Sequence, residues 1–234
     1  MNSSVYKIGF WSSLTAFLSM LSFDIVQALQ LRHLVTFPYD EVLIYGFSLG
    51  IVIPFLLAML ALHYSVPAER KIWTHATILF TVLYAVFAIS NYVVQLAIVI
   101  PSTIRGAGQE VQLLVQSPHS LFWNADAIAY ICMGFAVFSA TPALEQQGIQ
   151  RWTRYSFLAH AFMTPVIAFV YFYPNFSERL LLLGLPWAIT APFSMLMLTI
   201  MFRKIWKDNA RNVNQAGSVA SKNFLYISKK TELI

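Results

Sequence analysis

Six polar side chains stand inside stretches otherwise built from Leu, Ile, Val, Phe and Ala: Asp24, Gln27, Asn91, Gln95, Asp126 and Tyr130. Carboxyls, amides and a phenol in apolar surroundings can hold a small polar or cationic ligand, pass protons, or act as an acid–base pair. Asp24 and Asp126 are the two acids within those stretches, and no Lys or Arg lies deep enough beside them to neutralise either. Such an acid must share hydrogen bonds or carry a proton.

Depth brings the six together. A helix rises 1.5 Å per residue, so Asp24, about seven residues before the end of its stretch, lies roughly 10 Å in. Asp126, about six residues into a stretch that runs the other way, lies at about 9 Å, as does Gln95, with Asn91 one turn deeper. Gln27 sits one turn above Asp24, and Tyr130 shares a face with Asp126. Asn124 points nearly opposite to Asp126. The layer is read in two ways: as a pocket for a small polar or cationic ligand or for protons, or as an interhelical clamp of hydrogen-bonded side chains.

The elements that must position these residues follow from composition. The chain has 234 residues, 58% of them hydrophobic and 11% charged, against roughly 25% charged in a soluble domain. Its solvent is therefore lipid. Six windows are long and apolar enough to cross a bilayer, near 8–30, 42–64, 74–100, 120–141, 155–173 and 179–202. Continuous apolar runs of that length satisfy their backbone groups only as helices, so the expected fold is all-α, a single six-helix membrane bundle.

Charge gives its direction. Lys7, Arg70, Lys71, Arg151, Arg154, Arg203, Lys204, Lys207, Arg211, Lys222, Lys229 and Lys230 fall on one side, and Arg32, Arg105 and Arg179 on the other. The positive-inside rule then puts both termini in the cytoplasm. The first window is too long, and holds Asp24, so it reads as a span rather than a cleaved signal peptide. The net charge of +5 comes from span ends and the tail, which argues against a nucleic-acid partner.

Between the spans the chain is short and punctuated. Ser117-Pro118 reads as the N-cap and first residue of the fourth helix. Gln109–Gln116 has helical apolar spacing and is expected to lie along the outer surface. Asn175-Phe176-Ser177 is a formal glycosylation sequon in a loop too short to favour its use. From Asp208 onward, residues 208–234 read as a disordered cytoplasmic tail. Gly46 and Gly50 form a small-xxx-small motif, and Ala129, Cys132, Ala136 and Ser139 a second small face, both suited to close helix packing. Pro54, Pro165, Pro186 and Pro192 interrupt spans, and the pair in the sixth marks it for a hinge or a fixed kink.

Other chemistry is thinly supported. His63, His75 and His160 could bind zinc or haem, but their spacing matches no ligand motif, and half-wet interfacial histidines are the simpler reading. No cofactor is implied. The lone Cys132 offers neither a disulfide nor a CxxC pair. HExxH, GxSxG, Walker A, voltage-sensor and TVGYG patterns are absent. No internal repeat supports an inverted-repeat transporter.

The stretch from Asn91-Tyr92-Val93-Val94-Gln95 through Ile100-Pro101, with Pro118-His119-Ser120-Leu121-Phe122-Trp123, resembles uncharacterised bacterial six-span integral membrane proteins. That resemblance implies six helices, a bacterial inner (plasma) membrane and no assigned activity. The expected function is a small-ligand or ion binding or transport-like protein with an outward-facing polar pocket. The alternatives are a non-catalytic structural or regulatory subunit, or an enzyme using Asp24 and Asp126 as an acid–base pair. The sequence leaves the oligomeric state open.

Overall fold

Long apolar segments joined by short polar turns leave the backbone one way to satisfy itself: as helices running alternately up and down. The computed structural model describes the backbone of residues 3–231 and the side chains of residues 4–177 and 179–211. Among the described residues the fold is all-helical, and six helices are long and apolar enough to cross a membrane. We number them α1 (Ser3–Leu31), α2 (Tyr39–Ser65), α3 (Ala68–Ile104), α4 (Leu121–Ala140), α5 (Gly148–Phe172) and α6 (Leu185–Thr231).

Each helix packs on the next in sequence, and α6 returns to α1, so the bundle is a closed ring. Large side chains fill its axis, with Met20, Phe55, Tyr84, Met133 and Met195 all essentially inaccessible. The outer faces are just as apolar: Ile72, Leu79 and Ile189 are each at least 66% exposed. A water-soluble bundle would place charge there.

Small residues set the close contacts. A Cβ on Gly50 would stand 2.9 Å from Ser19 Oγ, which makes Gly50 the near-contact of α2 with α1. Gly46, the other half of the motif, has nothing within 4 Å. The tightest seam is one that the spacing does not single out: a Cβ on Gly134 of α4 would collide with Thr164 Oγ1 of α5. The ring closes through Thr199 of α6, whose hydroxyl donates to Ser13 Oγ of α1 at 3.0 Å.

Proline explains one break and not another. α5 is interrupted at Phe162, between Gly148–Ala161 and Met163–Phe172. Pro165 cannot donate to the preceding turn and crowds its carbonyl, which breaks the helix there. In α6 Pro192 is internal, whereas Pro186 is the second residue of the helix, where a missing N–H costs nothing. The expected pair of mid-helix prolines is therefore a single one. The stretch between α5 and α6 is irregular apart from short turns at Glu178–Leu181 and Leu182–Gly184.

Two other local readings change. The N-cap of α4 is Ser120, whose Oγ accepts from Trp123 N at 3.2 Å, rather than Ser117. Ser117-Pro118-His119 makes a turn instead, with His119 at φ 65°. α6 continues to Thr231, through the stretch from Asp208 whose composition predicts disorder.

A candidate ligand site at the base-poor end of the bundle

Three chain segments converge on Asp126 at the end of the bundle that carries Arg32, Arg105 and Arg179. Asp126 is 3% exposed, on the second turn of α4. Its Oδ1 accepts from the Tyr92 hydroxyl at 2.8 Å and from Asn91 Nδ2 at 3.3 Å. Its Oδ2 accepts from Gln116 Nε2 and from the Tyr171 hydroxyl, both at 3.1 Å. Both oxygens are thus used as acceptors, by donors from α3, α5 and the loop before α4. The Tyr130 hydroxyl lies 3.2 Å from that of Tyr92 and extends the network one turn down α4.

The loop is built into this layer. Gln95 donates from Nε2 to the Leu114 carbonyl at 2.8 Å and accepts from Gln116 N at 3.4 Å. Gln116 Oε1 accepts from Asn91 Nδ2 at 2.9 Å. Gln95 opens a π-helical turn, Gln95–Val99, which adds a residue to α3 and re-aims the last turn of the helix. The segment expected to lie along the outer surface instead folds as a 3-10 turn, Gly108–Leu114, over the end of the bundle. Its polar end enters the interior because Gln116 finds unpaired amide and carboxyl groups there, while Leu113 stays 88% exposed.

Beside Asp126 lies a cavity of about 310 Å³. Asp126, Gln116, Tyr92 and Tyr130 line it, together with Glu41 and Tyr45 of α2 and Gln27 of α1. Trp123 and Tyr171 line it as well. Their rings stack with centroids 4.5 Å apart, and the indole N–H donates to the Tyr171 carbonyl at 3.1 Å. The Tyr45 and Tyr92 rings lie 5.9 Å apart. Among the described residues no Lys or Arg lines this cavity. It holds two carboxyl groups, several aromatic faces and no built-in cation, which is the composition that recognises an ammonium group.

Five of the six residues singled out by depth therefore meet: Asn91, Gln95 and Asp126 in the network, and Tyr130 and Gln27 at the cavity. Asp24 does not join them. It does not line this cavity, and its Oδ1 is buried without a hydrogen-bond partner. Phe23 and Gln27 face the cavity, and Asp24 is rotated by about 100° from Phe23 on the same helix. Glu41 takes the place expected of Asp24. It sits in the first turn of α2, beside Asp40, which accepts from Gln30 Nε2 at 2.9 Å. Glu41 lies at the edge of its window, where an acid reads as a loop residue. Tyr171 and Gln116 give no sequence signal beyond a polar tip in an apolar span and a polar loop.

The histidines separate. The rings of His63 and His75 lie 4.9 Å apart at the opposite end, with His63 Nδ1 2.8 Å from Thr74 Oγ1. His160 is buried elsewhere, 3.3 Å from Thr190 Oγ1 and against Trp187. Among the described residues no three His, Cys, Asp or Glu side chains are grouped to hold a metal ion.

Comparison with protein-family models, with curated proteins and with solved structures finds no match to this chain.

Proposed function

We propose that this chain is a multi-pass membrane protein with both termini cytoplasmic, and that its outward end binds a small organic cation, as a binding or transport-like protein. The apolar outer faces of the bundle support insertion. The basic bias of the sequence supports the orientation, with the base-poor end and its cavity outside. The resemblance to bacterial six-span proteins supports a bacterial plasma membrane as the setting.

One observation carries the cation reading: a cavity walled by Glu41, Asp126 and aromatic rings, with no basic side chain among the described residues that line it. Asp126 already receives hydrogen bonds at both oxygens, so it orients Tyr92, Tyr171 and Gln116 and supplies negative field. Glu41 is half-buried, faces the cavity and is the carboxylate left to meet the ligand directly.

The test is thermal unfolding of the protein in phosphatidylglycerol nanodiscs, titrated with tetramethylammonium chloride against sodium chloride at equal ionic strength. A ligand bound only by the folded state raises the melting temperature with concentration. The wild type should respond and Glu41→Gln should not. Equal curves for tetramethylammonium and sodium in the wild type would remove the cation site. The saturated Asp126 network would then favour a second reading, a scaffolding membrane subunit in which the polar layer only holds helices together.

A further inference from the structure

The cation cavity does not end at Tyr130 and Tyr171. Both residues, with Phe23, Gln27 and Leu181, also line a second chamber of about 610 Å³ between α1, α5 and the start of α6. Its remaining walls are almost entirely apolar and include Leu31, Ile167, Val170, Leu182, Leu185 and Trp187. Trp187 is 8% exposed and forms the inner wall, its ring 4.9 Å from Tyr130 and 6.2 Å from Phe23. Leu31, Leu182 and Leu185 are all more than half exposed, so the rim opens on the outer face of the bundle.

Two chambers of different chemistry that share five residues suit one molecule with two parts. We propose that the ligand is an amphiphile, with an ammonium group between Glu41 and the Tyr45, Tyr92 and Tyr130 rings and an apolar body in the chamber beside Trp187. This rests on the cation-site reading and adds the second half of the ligand. The polar cavity supplies charge complementarity and aromatic faces. The larger chamber supplies apolar area to bury, and its volume falls in the range of small-molecule sites, about 300–1,000 Å³. Arg179 is exposed and lines the apolar chamber but not the polar cavity. A headgroup that carries a phosphate as well as an ammonium could reach it, so the chemistry fits either a simple lipophilic amine or a zwitterionic lipid-like molecule.

The experiment compares probes that share a head and differ in body, by calorimetric titration of the full chain in phosphatidylglycerol nanodiscs, with empty nanodiscs subtracted. The probes are tetramethylammonium, 4-phenylbutyltrimethylammonium and 4-phenylbutanol. Burying the phenylbutyl body should tighten binding about tenfold or more over tetramethylammonium. 4-Phenylbutanol should bind far more weakly than the phenylbutyl cation. Ala188→Phe and Leu182→Trp alter residues that line only the apolar chamber. Each should remove the tenfold gain and leave tetramethylammonium binding intact, which also reports a folded protein. Tetramethylammonium binding that depends on Glu41, with no gain from the phenylbutyl group, would overturn the amphiphile and leave the cation site standing. A gain that survives both substitutions would overturn it as well. No Glu41-dependent binding of either cation would overturn both. An alkylphosphocholine that binds more weakly to Arg179→Gln than to the wild type, while the simple cation does not, would select the zwitterionic form of the ligand. Equal binding to both proteins would select the lipophilic amine.

Discussion

The Tyr92 hydroxyl donates to the Asp126 carboxylate across 2.8 Å, joining α3 to α4 at a point where both residues are at most 3% exposed. Asn91, Gln116 and Tyr171 converge on the same carboxylate. Asp126 is therefore an acceptor hub, and its replacements should be graded by how many donors they strand.

Tyr92→Phe removes one hydroxyl and leaves three donors on the carboxylate. Interhelical hydrogen bonds in membranes average about 0.6 kcal/mol, and the loss should be of that order. Asp126→Asn keeps the shape but turns an amide NH₂ toward donors. At least one buried group then goes unsatisfied, at about 1–3 kcal/mol. Thermal unfolding in one detergent should rank wild type, Tyr92→Phe, Asp126→Asn and Asp126→Leu in falling order. An Asp126→Asn protein as stable as Tyr92→Phe would mean that the network rearranges freely around a neutral residue.

Glycine substitutions should separate true helix contacts from sequence motifs. A methyl group at Gly134 meets Thr164 Oγ1 directly, whereas at Gly46 it meets open space. Gly134→Ala should cost about 1–3 kcal/mol by overpacking, and Gly46→Ala should be neutral or slightly stabilising. Shortening the partner should restore part of the loss, so Gly134→Ala with Thr164→Ala should be more stable than Gly134→Ala with Thr164 kept. Additive losses in the double variant would show that the two residues do not compete for space.

Orientation is open to direct labelling. Gln109 and Gln146 are exposed at opposite ends of the bundle, and Ser102, on the outer loop by sequence, is 7% exposed and a poor reporter. In a Cys132→Ala background, a cysteine at Gln109 should react with an impermeant thiol reagent on intact cells. One at Gln146 should react only after permeabilisation. The reverse pattern would invert the topology and place the cavity on the cytoplasmic side.

The helices and the polar layer are legible in the sequence because both are one-dimensional properties. Apolar length sets a span, and counting residues from its end sets depth, which is how Asn91, Gln95, Asp126 and Tyr130 are found without a structure. Azimuth is not counted that way. Asp24 and its neighbour Phe23 have matching depth, yet a rotation of about 100° between them puts Phe23 at the cavity and Asp24 off it. The π-turn at Gln95 shifts azimuth again, with no marker in the residues themselves. Gln116 is hidden because a polar loop residue reads as solvated until the loop is seen to fold inward. Glu41 is hidden because helix α2 begins earlier than the apolar window does.

Gln116 provides the sharpest test of whether the cavity wants a cation. Its amide occupies the position from which a positive group would reach both the Asp126 carboxylate and the space beside Glu41. Gln116→Lys would place an ammonium there on its own tether. Lys loses the acceptor that takes the Asn91 bond at 2.9 Å, but a charged donor to Asp126 contributes about 1.5–3 kcal/mol, against about 1 for a neutral one. The backbone bond from Gln116 N to Gln95 is unaffected by the side chain. The variant should therefore fold with stability near that of the wild type. It should also have lost its response to tetramethylammonium, because the site is already filled by a cation. Gln116→Met, similar in length and uncharged, should keep the response and lose stability, since Asp126 loses a donor. A Gln116→Lys protein that still binds tetramethylammonium as the wild type does would show that the cation is not held beside Glu41 in this cavity.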